Sequence, residues 1–209
     1  MIIAIGRELG SGGRAVGERT AALLGAQLLD KEIVDLVAAR IGAPKPYVEA
    51  RDEAVEGFVD RLLRVITAAS PESFAEDAGV PDWSEARLVK LTETIIREHA
   101  AGEPLVVIGR GAPVLLRDRS DLFRVFVTAS LAVRAKRVAE RTGKTIDEAM
   151  RELRSSDQHR SAYMQQYYNV EWRDARLYDL VVNTDRIDYN EAARLIAASC
   201  ASVRPRTPA

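Results

Sequence analysis

The sequence is short of several residues and patterns, and each shortage removes a class of function. One cysteine, Cys200, allows no disulfide within the chain, and a reducing cytoplasm is the expected compartment. The two histidines, His99 and His159, have no partners at metal-ligand spacing, so no zinc site and no metal ligand is assigned. No apolar run approaches the roughly 18 residues of a membrane span. The N-terminus enters a strand-like stretch without a signal peptide's regions, so none is expected. A net charge of −1 gives no bulk attraction to nucleic acid or to a membrane surface. There is no G-x-S-x-G elbow and no plausible Cys–His pair to serve as a nucleophile.

What is present is 209 residues, 47% of them hydrophobic, enough for one α/β core with a small inserted lobe. Five short runs read as strands: 2–5 (IIAI), 27–29 (QLL), 105–108 (LVVI), 123–128 (FRVFVT) and 180–183 (LVVN). Helical patterns fill 13–24, 31–41, 131–142, 145–168 and 188–201. Gly25 is placed to cap the first, and Gly42 and Pro44 to stop the second. Repeated strand–helix units predict an α/β fold with a five-stranded parallel sheet and helices on both faces. Residues 44–102 break the rhythm with helical stretches at 46–69 and 84–101, and predict a helical insert. Apolar stretches in that insert suit a pocket or a homodimer interface. The tail from Val203 onward is expected to fray.

Residues 6–17 hold the densest signal. Gly10, Gly12 and Gly13 crowd the turn between the first strand and first helix, where backbone N–H groups and the helix dipole suit an anion. Two readings fit. As a dinucleotide loop, Gly10, Gly12 and Ala15 match G-x-G-x-x-G/A, and Asp30 stands 20 residues beyond Gly10 for a ribose. Against this, Arg7-Glu8-Leu9 separates the strand from the first glycine. As a P-loop variant, Gly10-Ser11-Gly12 precedes the lysine position, which Gly13 occupies, and Arg14 and Ala15 stand where a hydroxyl helps hold Mg²⁺. Arg7 and Arg14 are then the candidates for the missing charge, and Ser11 is the loop's hydroxyl.

Arginines recur downstream. Arg110 follows the third strand between two glycines. Arg134 and Arg137 share a helix face after the fourth strand, and Asp157 and Arg160 share a face on the next helix. A guanidinium forks onto phosphate oxygens, so the series suits phosphoryl transfer. Tyr163, Tyr167 and Tyr168 read as packing residues.

The stretches IIAIGRELGSGGRAVGERTAALLG, LLDKEIVDLVA, PLVVIGRGAPVLLRDR, LFRVFVTASLAVRAKRVAERTG and SDQHRSAYMQQYYNVEWRDARLYDLVVNT resemble the cytidylate kinase-like family of P-loop nucleoside monophosphate kinases. The resemblance implies a three-layer P-loop NTPase-type fold with a helical insert and a lid. It implies ATP and Mg²⁺ as cofactors and a nucleoside monophosphate, CMP or dCMP, as acceptor. Arg7 to Arg14 would hold ATP phosphates, and Arg110 would grip the acceptor phosphate with Asp30 nearby. Arg134 and Arg137 would open the lid at 143–172, and Asp157 and Arg160 would form its D-x-x-R. The insert at 44–102 would be the monophosphate-binding lobe. The chain departs from the family at Gly13, where a lysine is usual, and at Leu153, where an arginine is usual and Arg154 stands one step on. The alternatives are a nucleotide-binding sensor or regulatory protein without transferase activity, or a kinase of another small molecule.

Overall fold

A computed structural model describes residues 1–40, 85–102 and 104–202. Five strands, β1 (Ile2–Arg7), β2 (Gln27–Leu29), β3 (Leu105–Ile108), β4 (Leu122–Thr128) and β5 (Leu180–Asn183), form one parallel sheet in the order β2-β3-β1-β4-β5. The helices are α1 (Gly13–Leu24), α2 (Glu32–Arg40), α3 (Glu85–Ala100), the single turn α4 (Ala112–Leu115), α5 (Leu131–Thr142), α6 (Ile146–Tyr168) and α7 (Tyr189–Ser202). A short 3-10 turn covers Ala175–Leu177.

Side-chain alternation along the central strands builds the three layers. Ile2 and Ala4 of β1 face Ile33 and Val37 of α2 and Ile95 and Ile96 of α3. Ile3 and Ile5 face Val16 of α1 and Ile196 of α7 on the other side. A strand buried on both faces has no polar positions to spare, which is why IIAI and LVVI read as unbroken apolar runs. Burying one such isoleucine contributes about 1.5–3 kcal/mol.

Helix ends follow local chemistry. Gly25 closes α1 in the left-handed conformation at φ 59°, and its N–H meets the carbonyls of Ala21 and Ala22. The Ser130 side chain caps α5 by accepting from the Val133 N–H. Thr145 and Glu148 form a reciprocal capping box on α6. The helical stretch expected over 84–101 is α3, and its apolar face belongs to the sheet core. The stretch expected over 46–69, and the tail from Val203, lie outside the described residues. No helix among the described residues is long and apolar enough to cross a membrane.

Parallel pairing brings the C-terminal ends of β1, β3 and β4 to one edge, with Ile5 beside Ile108 and Val125. The chain order reverses about β1 there, the place where such sheets bind ligands.

Candidate active site

At this edge a cavity of about 840 Å³ opens between the loop after β1, the turn after β3, and helices α5 and α6. Arg7, Arg14, Arg110, Arg137, Arg141 and Arg160 line it, which suits an anion. The loop reaches α1 through Gly10 and Gly12 at φ 76° and 80°, left-handed conformations that glycine adopts without strain. The first N–H groups of α1 have no intrahelical acceptor and point toward the loop side, as at any helix start.

Arg14 leaves the first turn of α1, and its Nε donates to Glu18 Oε1 at 2.8 Å. Asp30, at the end of β2 and nearly fully buried, lies 3.8 Å from Arg7 Nη2 and 3.7 Å from Arg14 Nε. That carboxylate orients two guanidinia, and it is engaged by them rather than held open for a ribose. Beyond β3, Gly109, Arg110 and Gly111 all take positive φ, at 75°, 57° and 69°. A non-glycine residue held there is strained by about 1–3 kcal/mol, and such strain concentrates at functional sites. Tyr168 packs over Gly111 and donates to the Arg110 carbonyl at 3.4 Å. Burial pushes the Tyr168 and Tyr163 hydroxyls up from the ordinary phenol value, so both remain protonated. Arg160, on α6, donates to the Arg7 carbonyl and faces the cavity. Arg137 donates to Thr184 Oγ1 at 2.9 Å and to the Thr184 carbonyl at 2.7 Å, and lies over the Tyr189 ring.

Three expected site residues stand behind the cavity wall. Ser11 is fully buried and donates to the Glu8 carbonyl at 2.9 Å, so its hydroxyl braces the loop. Arg134 grips Asp157 with two bonds of 3.1 and 3.0 Å, and both are buried. The pair is satisfied within the protein because Arg134 also donates to the carbonyls of Ala129 and Leu9.

Other residues of this region were not singled out from the sequence. Glu8 is buried, accepts from Thr128 Oγ1 at 2.6 Å and pairs with Arg173 at 2.7 Å. Arg173 also reaches Asp157 at 2.6 Å. Burial works against the Arg173 charge, but the Asp157 and Glu8 carboxylates more than offset it and its pKa is raised. Tyr189 covers Gly12, where a Cβ would come within 2.2 Å of its ring. For Glu8 a signal was present: it lies in the three-residue spacer before Gly10. Arg173 and Tyr189 have no such mark, since only folding brings them to the loop.

The cytidylate kinase-like family model matches residues 2–186. The cytidylate kinase of Haloquadratum walsbyi is 35% identical over 142 residues, covering 68% of this chain and 70% of that one. The chain spans 38% to 60% of the length of several further cytidylate kinases. Among solved structures, an uncharacterized protein from Eubacterium ventriosum superposes with a TM-score of 0.71 at 24% identity, covering 97% and 99% of the two chains. A shikimate kinase from Bacteroides thetaiotaomicron superposes at 0.53 and 16% identity, over 96% and 98%. The three-layer fold is therefore of the P-loop kinase type, and the Gly-rich turn joins its first strand to its first helix. With the family match running from the first strand to the loop after the fifth, the chain belongs to the cytidylate kinase-like family.

Proposed function

We propose that the protein moves the γ-phosphoryl group of ATP to a nucleoside monophosphate, with CMP or dCMP as acceptor. The observation that carries this is the convergence of Arg14, Arg110 and Arg160 on one cavity at the start of α1. The kinase relatives support the reaction class. In this reading the first turn of α1 and Arg14 hold the ATP phosphates. Arg110, fixed by its left-handed turn, grips the acceptor phosphate beside Asp30. Arg160 comes from α6, within a lid at 143–172, and meets charge on the transferring group. Arg137 props the loop near Gly10, while Arg134 and Asp157 position the lid from behind. Base selection is assigned to the insert expected over 44–102, whose last helix, α3, packs on the sheet core.

An acceptor phosphate oxygen attacks the γ-phosphorus in line. The bond to the β–γ bridging oxygen breaks, its electron pair leaves with ADP, and a nucleoside diphosphate forms. No side chain forms a bond to phosphorus, so positioning and charge neutralisation supply the rate. The described residues do not offer a magnesium donor set: Arg14 and Ala15 replace the loop hydroxyl, Ser11 Oγ is engaged, and Asp30 lies between two guanidinia.

The test is ADP release from ATP across CMP, dCMP, UMP, AMP and GMP, with Arg110→Ala as control. CMP-dependent turnover should fall about 10²–10³-fold in the control. ATP binding without turnover on any acceptor would favour a nucleotide sensor, the reading that Gly13 at the lysine position supports.

A further inference from the structure

We infer that Arg7 supplies the phosphate-clamping charge that a lysine at position 13 would otherwise provide, and that Gly13 is small because the Arg7 stem fills its side-chain space. This rests on the kinase reading. Gly13 is the first residue of α1, and it is absent from the glycines at positive φ, unlike Gly10 and Gly12. Its backbone is one that any residue adopts, so conformation does not explain the glycine. Space does. A Cβ at position 13 would stand 2.4 Å from Arg7 Cβ and 2.8 Å from Arg7 Cγ. Arg7 Cβ is fixed by β1, whose pairing with Val127 holds the backbone in place, so it cannot swing aside.

The side chain then runs to the turn after β3. A Cβ at Gly109 would come within 1.8 Å of Arg7 Nη1. Two glycines thus flank the side chain, one at its stem and one at its head. The head lies on the cavity wall, 3.8 Å from Asp30 Oδ1. Arg14 is shared between Asp30 at 3.7 Å and Glu18 at 2.8 Å, whereas Arg7 meets Asp30 only at the 3.8 Å limit of an ion pair, so Arg7 has the weaker carboxylate contact of the two guanidinia. A guanidinium keeps its charge at any working pH and offers a fork to phosphate oxygens, as a lysine does not. Arg7 also carries the carbonyl that Arg160 grips, so the same residue joins the phosphate loop to α6.

The test measures ATP affinity by titration calorimetry, alongside thermal unfolding without nucleotide. Arg7→Gln keeps the stem and removes the charge. It should weaken ATP binding about 10- to 100-fold, the worth of a charge-assisted contact, while nucleotide-free melting stays near the parent's. Exchanging the two roles in one protein, Arg7→Gly with Gly13→Lys, should recover at least about tenfold of the affinity lost in Arg7→Gly alone. Unchanged ATP affinity in Arg7→Gln overturns the inference and leaves the kinase reading standing. A drop in nucleotide-free melting that accounts for the whole loss in Arg7→Gln also overturns it, as a packing role. A parent protein that binds no ATP overturns the kinase reading itself, and the inference with it.

Discussion

Four charged side chains, Glu8, Arg134, Asp157 and Arg173, decide at the residue scale how the loop after β1 meets helices α5 and α6. They alternate in sign and bond to one another at 2.6–3.5 Å, while Arg134 and Asp157 are buried. Removing one partner of a buried pair leaves the other uncompensated, which is worse than losing an exposed bridge. Asp157→Ala should therefore lower the unfolding free energy by about 3–5 kcal/mol, read by urea titration. A loss under about 1 kcal/mol would show that Arg134 finds another partner or water. The family resemblance implies lid roles for Asp157 and Arg134, and their spacing put each on a helix face with a second charged residue. Spacing shows only that two side chains share a helix face, and which way that face turns depends on the neighbouring helix.

At the scale of the element, α6 is the clearest case of local chemistry setting a boundary. Thr145 Oγ1 accepts from the Glu148 N–H at 3.3 Å, and Glu148 Oε2 accepts from the Thr145 N–H at 2.8 Å. Thr145→Ala should lower the melting temperature by about 2–4 °C. The hydrogen bond from the Thr145 backbone, with its hydroxyl next, holds the Glu148 carboxyl below its ordinary 4.5. A depressed carboxyl contributes stability that is present above the ordinary value and is lost as pH falls through the depressed one. The melting difference between parent and variant should therefore narrow below about pH 4.5, and a difference that stays constant would contradict the capping account. Helices α1, α5 and α6 and all five strands were legible because caps and apolar runs lie within a few residues. The turn α4 was not. Its four residues carry no period, and the left-handed run at Gly109–Gly111 starts it.

For the whole molecule, aromatic residues of the segment after α6 pack against the sheet. Phe126 of β4 stacks on Tyr178 at 4.9 Å and meets Trp172 edge-on at 5.5 Å, while Tyr178 donates to the Trp172 carbonyl at 2.6 Å. Burial raises the pKa of Tyr163, Tyr168 and Tyr178 above the ordinary 10.0, because a phenolate is poorly solvated there. Groups raised in this way stabilise the fold below the ordinary value, and that contribution is lost as pH rises past it. Alkaline titration should show tyrosinate absorbance rising together with loss of the helical circular dichroism, in one transition above about pH 10. Smooth ionisation near pH 10 with unchanged dichroism would contradict the burial.

The sequence by itself determined the layers, the parallel sheet and the glycine-rich turn after β1, because strand burial, helix caps and glycine turns are governed by neighbours in the chain. It also marked the arginines. Only the tertiary structure decided which arginines face the cavity and which are spent on buried carboxylates, since that depends on residues far apart in sequence. Glu8 and Arg173 show it, and so does the contact that makes Gly13 room for Arg7: charges and volumes meet across strands and helices, and no local pattern records the meeting.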